Sequence, residues 1–140
     1  MGRVLALDLG EKRVGVAISD PLGWTAQGLP TLARSETDRE SGPLDQLILE
    51  HEVERLVVGL PLRLDGSEGT AALAARRCAA VFERRFSLPV ELWDERLTTA
   101  EADHVMRLAG VNRRRRQQAS DRLAATLLLQ SWLDARRGAA

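Results

Sequence analysis

Residues 4–20, VLALDLGEKRVGVAISD, decide how the rest of the chain is read. Val4 to Leu9 is aliphatic or small except for Asp8, and after Gly10-Glu11-Lys12 a second alternating run begins with Val14, Val16 and Ile18. Two such runs separated by a short turn read as a β-hairpin. A carboxylate inside a buried strand costs several kcal/mol unless something pairs with it. The hairpin therefore poses the question of what Asp8 meets.

With 140 residues and no long Pro-, Gly- or Ser-rich interval, the chain has the size and continuity of one domain. No apolar run approaches the length of a membrane span, and the N-terminus enters a strand at once, without a signal pattern. A cytoplasmic protein with no membrane partner is expected. Cys78 is the only cysteine, which excludes an internal disulfide and a thiolate zinc cluster. Basic and acidic residues number 20 each, so net charge gives no argument for nucleic acid. Their distribution is less even: Arg113, Arg114, Arg115 and Arg116 form the one dense block of a single sign. Arginine suits bidentate phosphate contacts, although such a block is also an ordinary solvated segment.

Beyond the hairpin, Gly23 to Leu32 is a weaker third strand. Pro43 opens a helix at its first turn, with Leu44, Leu47 and Ile48 on one face. RLVVGL, residues 55–60, reads as a buried parallel strand ended by Pro61. A turn at Asp65-Gly66 leads to Ser67 as an expected N-cap and to a helix with the stripe Ala72, Ala75, Ala79, Phe82 and Phe86. Cys78 lies beside that stripe, with no basic or histidine neighbour evident, and reads as a small core residue. Pro89 to Trp93 is a further strand, and Thr98 with Glu101 has the capping-box spacing for a helix carrying Ala102, Val105, Met106 and Ala109. A last helix is expected from about Ala119 to Arg137. This order predicts an α/β fold: a five-stranded mixed sheet, an antiparallel meander continued by parallel strands, with helices on both faces.

Two further carboxylates stand where surface decoration is not expected. Glu95 follows the strand ELW, at the strand end where α/β sheets gather functional groups. Asp121 shares a face of the last helix with Ala125, Leu128 and Trp132, and so points along the core-facing stripe. Taken singly, each has an ordinary explanation: a tight-turn acceptor for Asp8, a pair with Arg96 or Arg13 for Glu95, a helix-dipole residue for Asp121. Together, on converging elements, three like charges ask for a cation. All-oxygen donors select Mg2+ or Mn2+ over zinc, and such ions hydrolyse phosphodiesters.

At these residues the chain resembles a known family. LALDLGEKRVGVAISD, LVVGLPLRLDGSEG, WDERLTTAEA and DRLAATLLLQSWLD are similar, in order and spacing, to the signature blocks of the YqgF family, also called RuvX, of Holliday junction resolvases and pre-16S ribosomal RNA nucleases. The resemblance spans nearly the whole chain. It implies an RNase H-like fold, a metal-dependent nuclease acting on RNA precursors or branched DNA, and Asp8, Glu95 and Asp121 as catalytic metal ligands. It also implies that Lys12, Arg13, Arg96 and the run Arg113 to Arg116 hold the substrate backbone, with Arg63 and the Ser67 helix start available for a phosphate. Asp94 adjoins Glu95, and strand register decides which of the two turns inward. The slot one turn before the final aspartate holds Gln118, a weaker ligand than the one related resolvases carry.

DLGEKRVGVA also resembles the first phosphate loop of actin-like ATPases, but that class needs two such domains, and it has no use for Asp121. A non-catalytic nucleic-acid-binding module of the same fold is a further alternative, which the three carboxylates disfavour. Within the nuclease reading, symmetric cutting of a junction calls for a C2 homodimer, whereas RNA trimming works in a monomer. Trp24, Trp93 and Trp132 are assigned to the core, with Trp24 or Trp93 able to stack on bases if exposed.

Overall fold

Strand alternation sorts the first hairpin onto two faces. The computed structural model describes residues 2–95 and 113–138, side chains of 113–119 and 138 excepted. In β1 (Arg3–Leu9), Leu5 and Leu7 are buried on one side of the sheet and Val4 and Ala6 on the other. Strand β2 (Arg13–Ser19) runs antiparallel to it, and β3 (Ala26–Ala33) antiparallel to β2. After α1 (Arg34–Thr37) and α2 (Pro43–Glu50), β4 (Val53–Leu60) enters parallel to β1. Helix α3 (Thr70–Phe86) then leads to β5 (Val90–Asp94), parallel to β4, and α4 (Arg113–Gly138) ends the described chain. The sheet order is β3-β2-β1-β4-β5, the mixed sheet expected from the sequence.

The two faces have different covers. Leu44 of α2 and Ala72, Ala75, Ala79 and Phe82 of α3 pack on Leu5, Leu7, Val14, Val16, Leu56 and Val58. On the opposite face, Ala125, Leu128, Leu129, Trp132 and Leu133 of α4 pack on Val4, Ala6, Ala17 and Val57. Burial on both sides is why β1 and β4 read as nearly continuous apolar runs. No helix among the described residues is long and apolar enough to cross a membrane.

The α4 face is lined with small residues, which lets the helix settle close to the strands. A Cβ at Gly15 would stand 2.2 Å from the Asp121 carbonyl oxygen and 3.3 Å from the Ala125 Cβ. Gly15 pairs across the ladder with Asp8, so this close approach brings the Asp121 turn over the strand that carries Asp8.

Four expectations are corrected. Ser67 does not cap α3: the N-cap is Gly69 without a side-chain bond, and Ser67 instead donates from its hydroxyl to Asp65 at 2.6 Å, closing the turn at Gly66. The last helix already includes the backbone of Arg113, well ahead of Ala119, so the four arginines are in helix; an amphipathic pattern marks where a helix packs, not how far it extends. Trp24 is 59% exposed, whereas Trp132 is buried. Cys78 has a basic neighbour, since Arg34 Nη2 lies 3.0 Å from its Sγ, a contact across 44 residues that local sequence cannot show. The helix expected from Thr98 lies outside the described residues.

Replacing Gly15 by alanine forces α4 off the sheet and is expected to lower stability by about 1–3 kcal/mol, the range for overpacking. Thermal melting measures it. An unchanged midpoint would show that the helix can slide at no cost.

Candidate active site at the strand ends

Asp8 lies on the α4 face of β1, one residue from the strand end, with the parity of Val4 and Ala6. Burial pushes its carboxyl above the ordinary value; a hydrogen bond with Glu95 works against that shift, and the charge of Asp121 adds to it.

Glu95 follows β5 directly, and its N–H donates to the Leu60 carbonyl at 3.3 Å, extending the parallel ladder by one residue. It therefore keeps the parity of Glu91 and Trp93, whose side chains reach α4. Trp93 Nε1 donates to Ser131 Oγ at 3.2 Å, and Trp132 Nε1 donates to Glu91 Oε2. Register turns Glu95, not Asp94, toward the helix; Asp94 is exposed and keeps the parity of Val90 and Leu92. The Glu95 carboxyl folds into the notch left by Gly59, where a Cβ would stand 2.1 Å from Oε2. That oxygen is buried and, among the described residues, has no hydrogen-bond partner. Burial first, then the charge of Asp8, the bond to Asp8 and the charge of Asp94, push the Glu95 carboxyl up to about 9. A hydrogen bond between two carboxyls requires a proton, and the raised Glu95 carboxyl is the donor to Asp8.

Asp121 completes the group from α4, and its Oδ2 accepts from Arg13 Nε at 2.7 Å. Among the described residues no three ligating side chains already stand around one point. Asp8 and Glu95 contact each other, while Asp121 leans onto the guanidinium of Arg13. The orphaned Oε2, the notch at Gly59 and the all-oxygen donors fit a hard cation set between them.

The neighbouring basic residues are spread around this end of the sheet. Lys12 is exposed in the β1–β2 turn, and Arg63 is exposed in the loop after β4, its Nη1 3.4 Å from Ser67 Oγ. With α3 starting at Thr70, Ser67 offers no helix N-terminus for a phosphate. The backbone of Arg113 to Arg116 lies within α4, about 7–12 Å of helix rise before Asp121. Gln118 is also within α4, and Arg96 lies outside the described residues.

Sequence reasoning passed over the residues that shape the site rather than line it. Gly15 and Gly59 are strand-interior glycines, a signal of close approach that was present to be read. Arg34 had no such signal: its Nη1 donates to Gly10 O at 2.8 Å and its N–H to Lys12 O at 2.8 Å, which braces the turn before Arg13.

This topology is an RNase H-like fold of the RuvC type. RuvC from T. thermophilus, solved with a Holliday junction substrate, matches with a TM-score of 0.51 at 14% identity, over 99% of this chain and 97% of that one. The Fowlpox virus resolvase, solved with Holliday junction DNA, matches with a TM-score of 0.58 at 9% identity, over 96% and 98%. The chain belongs to the RuvX family, described as Holliday junction resolvase, which matches residues 2–135. Relatives from Koribacter versatilis and Geobacillus sp. are each 48% identical over 137 residues, covering 98% and 96% of this chain and 89% and 99% of their own. Both carry the name "Putative pre-16S rRNA nuclease".

The proton held by the carboxyl pair has a measurable sign. Glu95 rises from an ordinary 4.5 to about 9 on folding, so the folded state binds the extra proton, and stability without divalent cation falls as pH rises between those values. Melting in chelator across this range should show a falling midpoint, and Glu95→Gln should flatten it. A flat wild-type profile would mean the pair does not share a proton.

Proposed function

We propose that the chain is a divalent-metal-dependent nuclease that hydrolyses phosphodiester bonds, with the 5' end of pre-16S rRNA as its substrate. The observation that carries the reading is the buried Asp8–Glu95 pair at the strand ends, with an unpartnered oxygen over Gly59 and Asp121 brought alongside by α4. The name of the 48% identical relatives supplies the RNA. Asp8, Glu95 and Asp121 would hold Mg2+ or Mn2+, the ions that hard carboxylate donors favour. When bound, such an ion polarises a phosphate oxygen and lowers the pKa of a water.

The chain's own residues do the rest. Asp8 and Glu95 give up their shared proton when they become ligands. Arg13 neutralises Asp121 until a substrate phosphate offers a better bidentate partner, at which point Asp121 is released toward the other carboxylates. Lys12 and Arg63, exposed at this end of the sheet, would position the backbone without reading its sequence, as would Arg96 and Arg113 to Arg116 by the family resemblance.

Junction resolution is the second reading, favoured by the family's description. A labelled rRNA precursor end and a four-way DNA junction, each offered with magnesium or manganese, separate the two. Asp8→Asn, Glu95→Gln and Asp121→Asn are each expected to abolish cleavage while leaving melting midpoints unchanged or higher, because crowded like charges are relieved. Wild-type turnover by Asp121→Asn would sink the assignment.

Replacing Arg113 to Arg116 together with glutamine tests the substrate path. For every phosphate that the variant no longer neutralises, the slope of log affinity against log salt should shrink by about 0.7 on single strands or about 0.9 on duplex. Turnover at saturation should change much less, since these groups bind ground and transition states alike. An unaltered slope would move the path to Arg13, Arg63 and Arg96.

A further inference from the structure

Trp24 is displayed at the opposite end of the sheet from the carboxylates, on a loop built to hold it still. Asp20 accepts from the N–H groups of Leu22 at 3.3 Å, Trp24 at 2.7 Å and Thr25 at 2.7 Å, and Gly23 takes the positive φ of 75° that closes the turn. Helix α4 straps the same loop. Gln130 Nε2 donates to Trp24 O at 3.1 Å, its Oε1 accepts from the Ala26 N–H at 2.9 Å, and Arg137 Nη1 donates to Trp24 O at 3.0 Å. The Arg137 guanidinium also sits 5.0 Å from the centroid of the indole ring. All of the bonds that fix the loop are to backbone groups, so the indole itself is not needed to close it. Yet Trp24 as a residue is 59% exposed.

We propose that Trp24 is a stacking platform for an unpaired base of single-stranded nucleic acid, a second point of attachment for the substrate strand. The proposal rests on the nuclease reading for the class of ligand. Three observations favour a base over a protein surface. The loop backbone beneath the ring is fixed and one face of the ring is backed by the Arg137 cation, so a base meets a prepared flat face with little backbone left to order. Its surroundings are polar: along the α4–β3 seam Arg122 crosses Gly28, followed by Thr126 and Gln130. The one large apolar side chain exposed on the same loop is Leu22, which does not make the contiguous patch that a protein interface needs. The seam also leads somewhere. It runs from the turn of Asp121 to Arg137, about 24 Å along the helix axis, so one strand can lie in the site and reach Trp24.

Length dependence tests this. In an Asp8→Asn background, which prevents cleavage, an RNA of about 4 nucleotides and one of about 16, the range of single-strand site sizes, are titrated against the protein. Trp24→Ala should weaken the long RNA roughly tenfold and leave the short one unchanged, because one base no longer stacks. Trp24→Phe should restore most of the affinity, and quenching of tryptophan fluorescence by the long RNA should fall in Trp24→Ala, since Trp132 is buried and Trp93 half-buried. Equal binding of the long RNA by Trp24→Ala and its parent overturns the platform and leaves the exposed ring to a protein partner or a second copy. If neither RNA binds the parent protein, the RNA-nuclease reading fails and takes the platform with it.

Discussion

The close contact between α4 and β2 at Gly15 is the constraint on which the rest of the structure depends. The Asp121 carbonyl oxygen occupies the space where any side chain at Gly15 would begin. Because Gly15 is the ladder partner of Asp8, the same contact that seats the helix also chooses which carboxylate arrives beside Asp8. Packing below this point is ordinary, with Ala125, Leu128, Leu129 and Trp132 filling the groove over Val4, Ala6, Ala17 and Val57. The helix is placed by its apolar stripe and its register is set by one missing side chain.

That placement concentrates negative charge in a poorly solvated corner, and the molecule responds in two ways. Asp8 and Glu95 share a proton, so the corner carries one charge fewer than its carboxyl count. Asp121 takes a cation from within the chain, Arg13, which enters from the first residue of β2. Neither solution removes the cost of burying the orphaned Glu95 oxygen, and a structure selected only for stability would not keep it. Functional sites are where such locally unfavourable arrangements persist.

The two ends of the sheet are built differently. At the carboxylate end, loops leave the C-terminal ends of parallel strands beside Asp8 and Glu95, with Arg34 bracing the turn before Arg13 from the far side of the hairpin. At the other end, Asp20, Gln130 and Arg137 direct their hydrogen bonds to a single loop and leave its tryptophan in solvent. Helix α4 spans both, the one described element that touches the site and the displayed ring.

Local chemistry made much of the fold readable. Asp8 in an apolar run, the alternation of β1 and β2, Pro43 at a helix start and the alanine stripe of α3 each carry their own meaning, because a period of two or of 3.6 is a property of neighbouring residues. The three carboxylates were legible for the same reason, as charges where a pattern demands apolar groups. What only the tertiary structure decided depends on which distant residues become neighbours. Register past the end of β5 selected Glu95 over Asp94. The approach of α4 gave Gly15 its purpose, the Glu95 carboxyl gave Gly59 its own, and the bond from Arg13 to Asp121 joins residues 108 apart. Trp24 looked like core because tryptophan is usually buried, but its exposure is set by a loop that Asp20 and helix α4 tie down. No local pattern encodes such a contact, because its energy exists only after the chain has closed on itself.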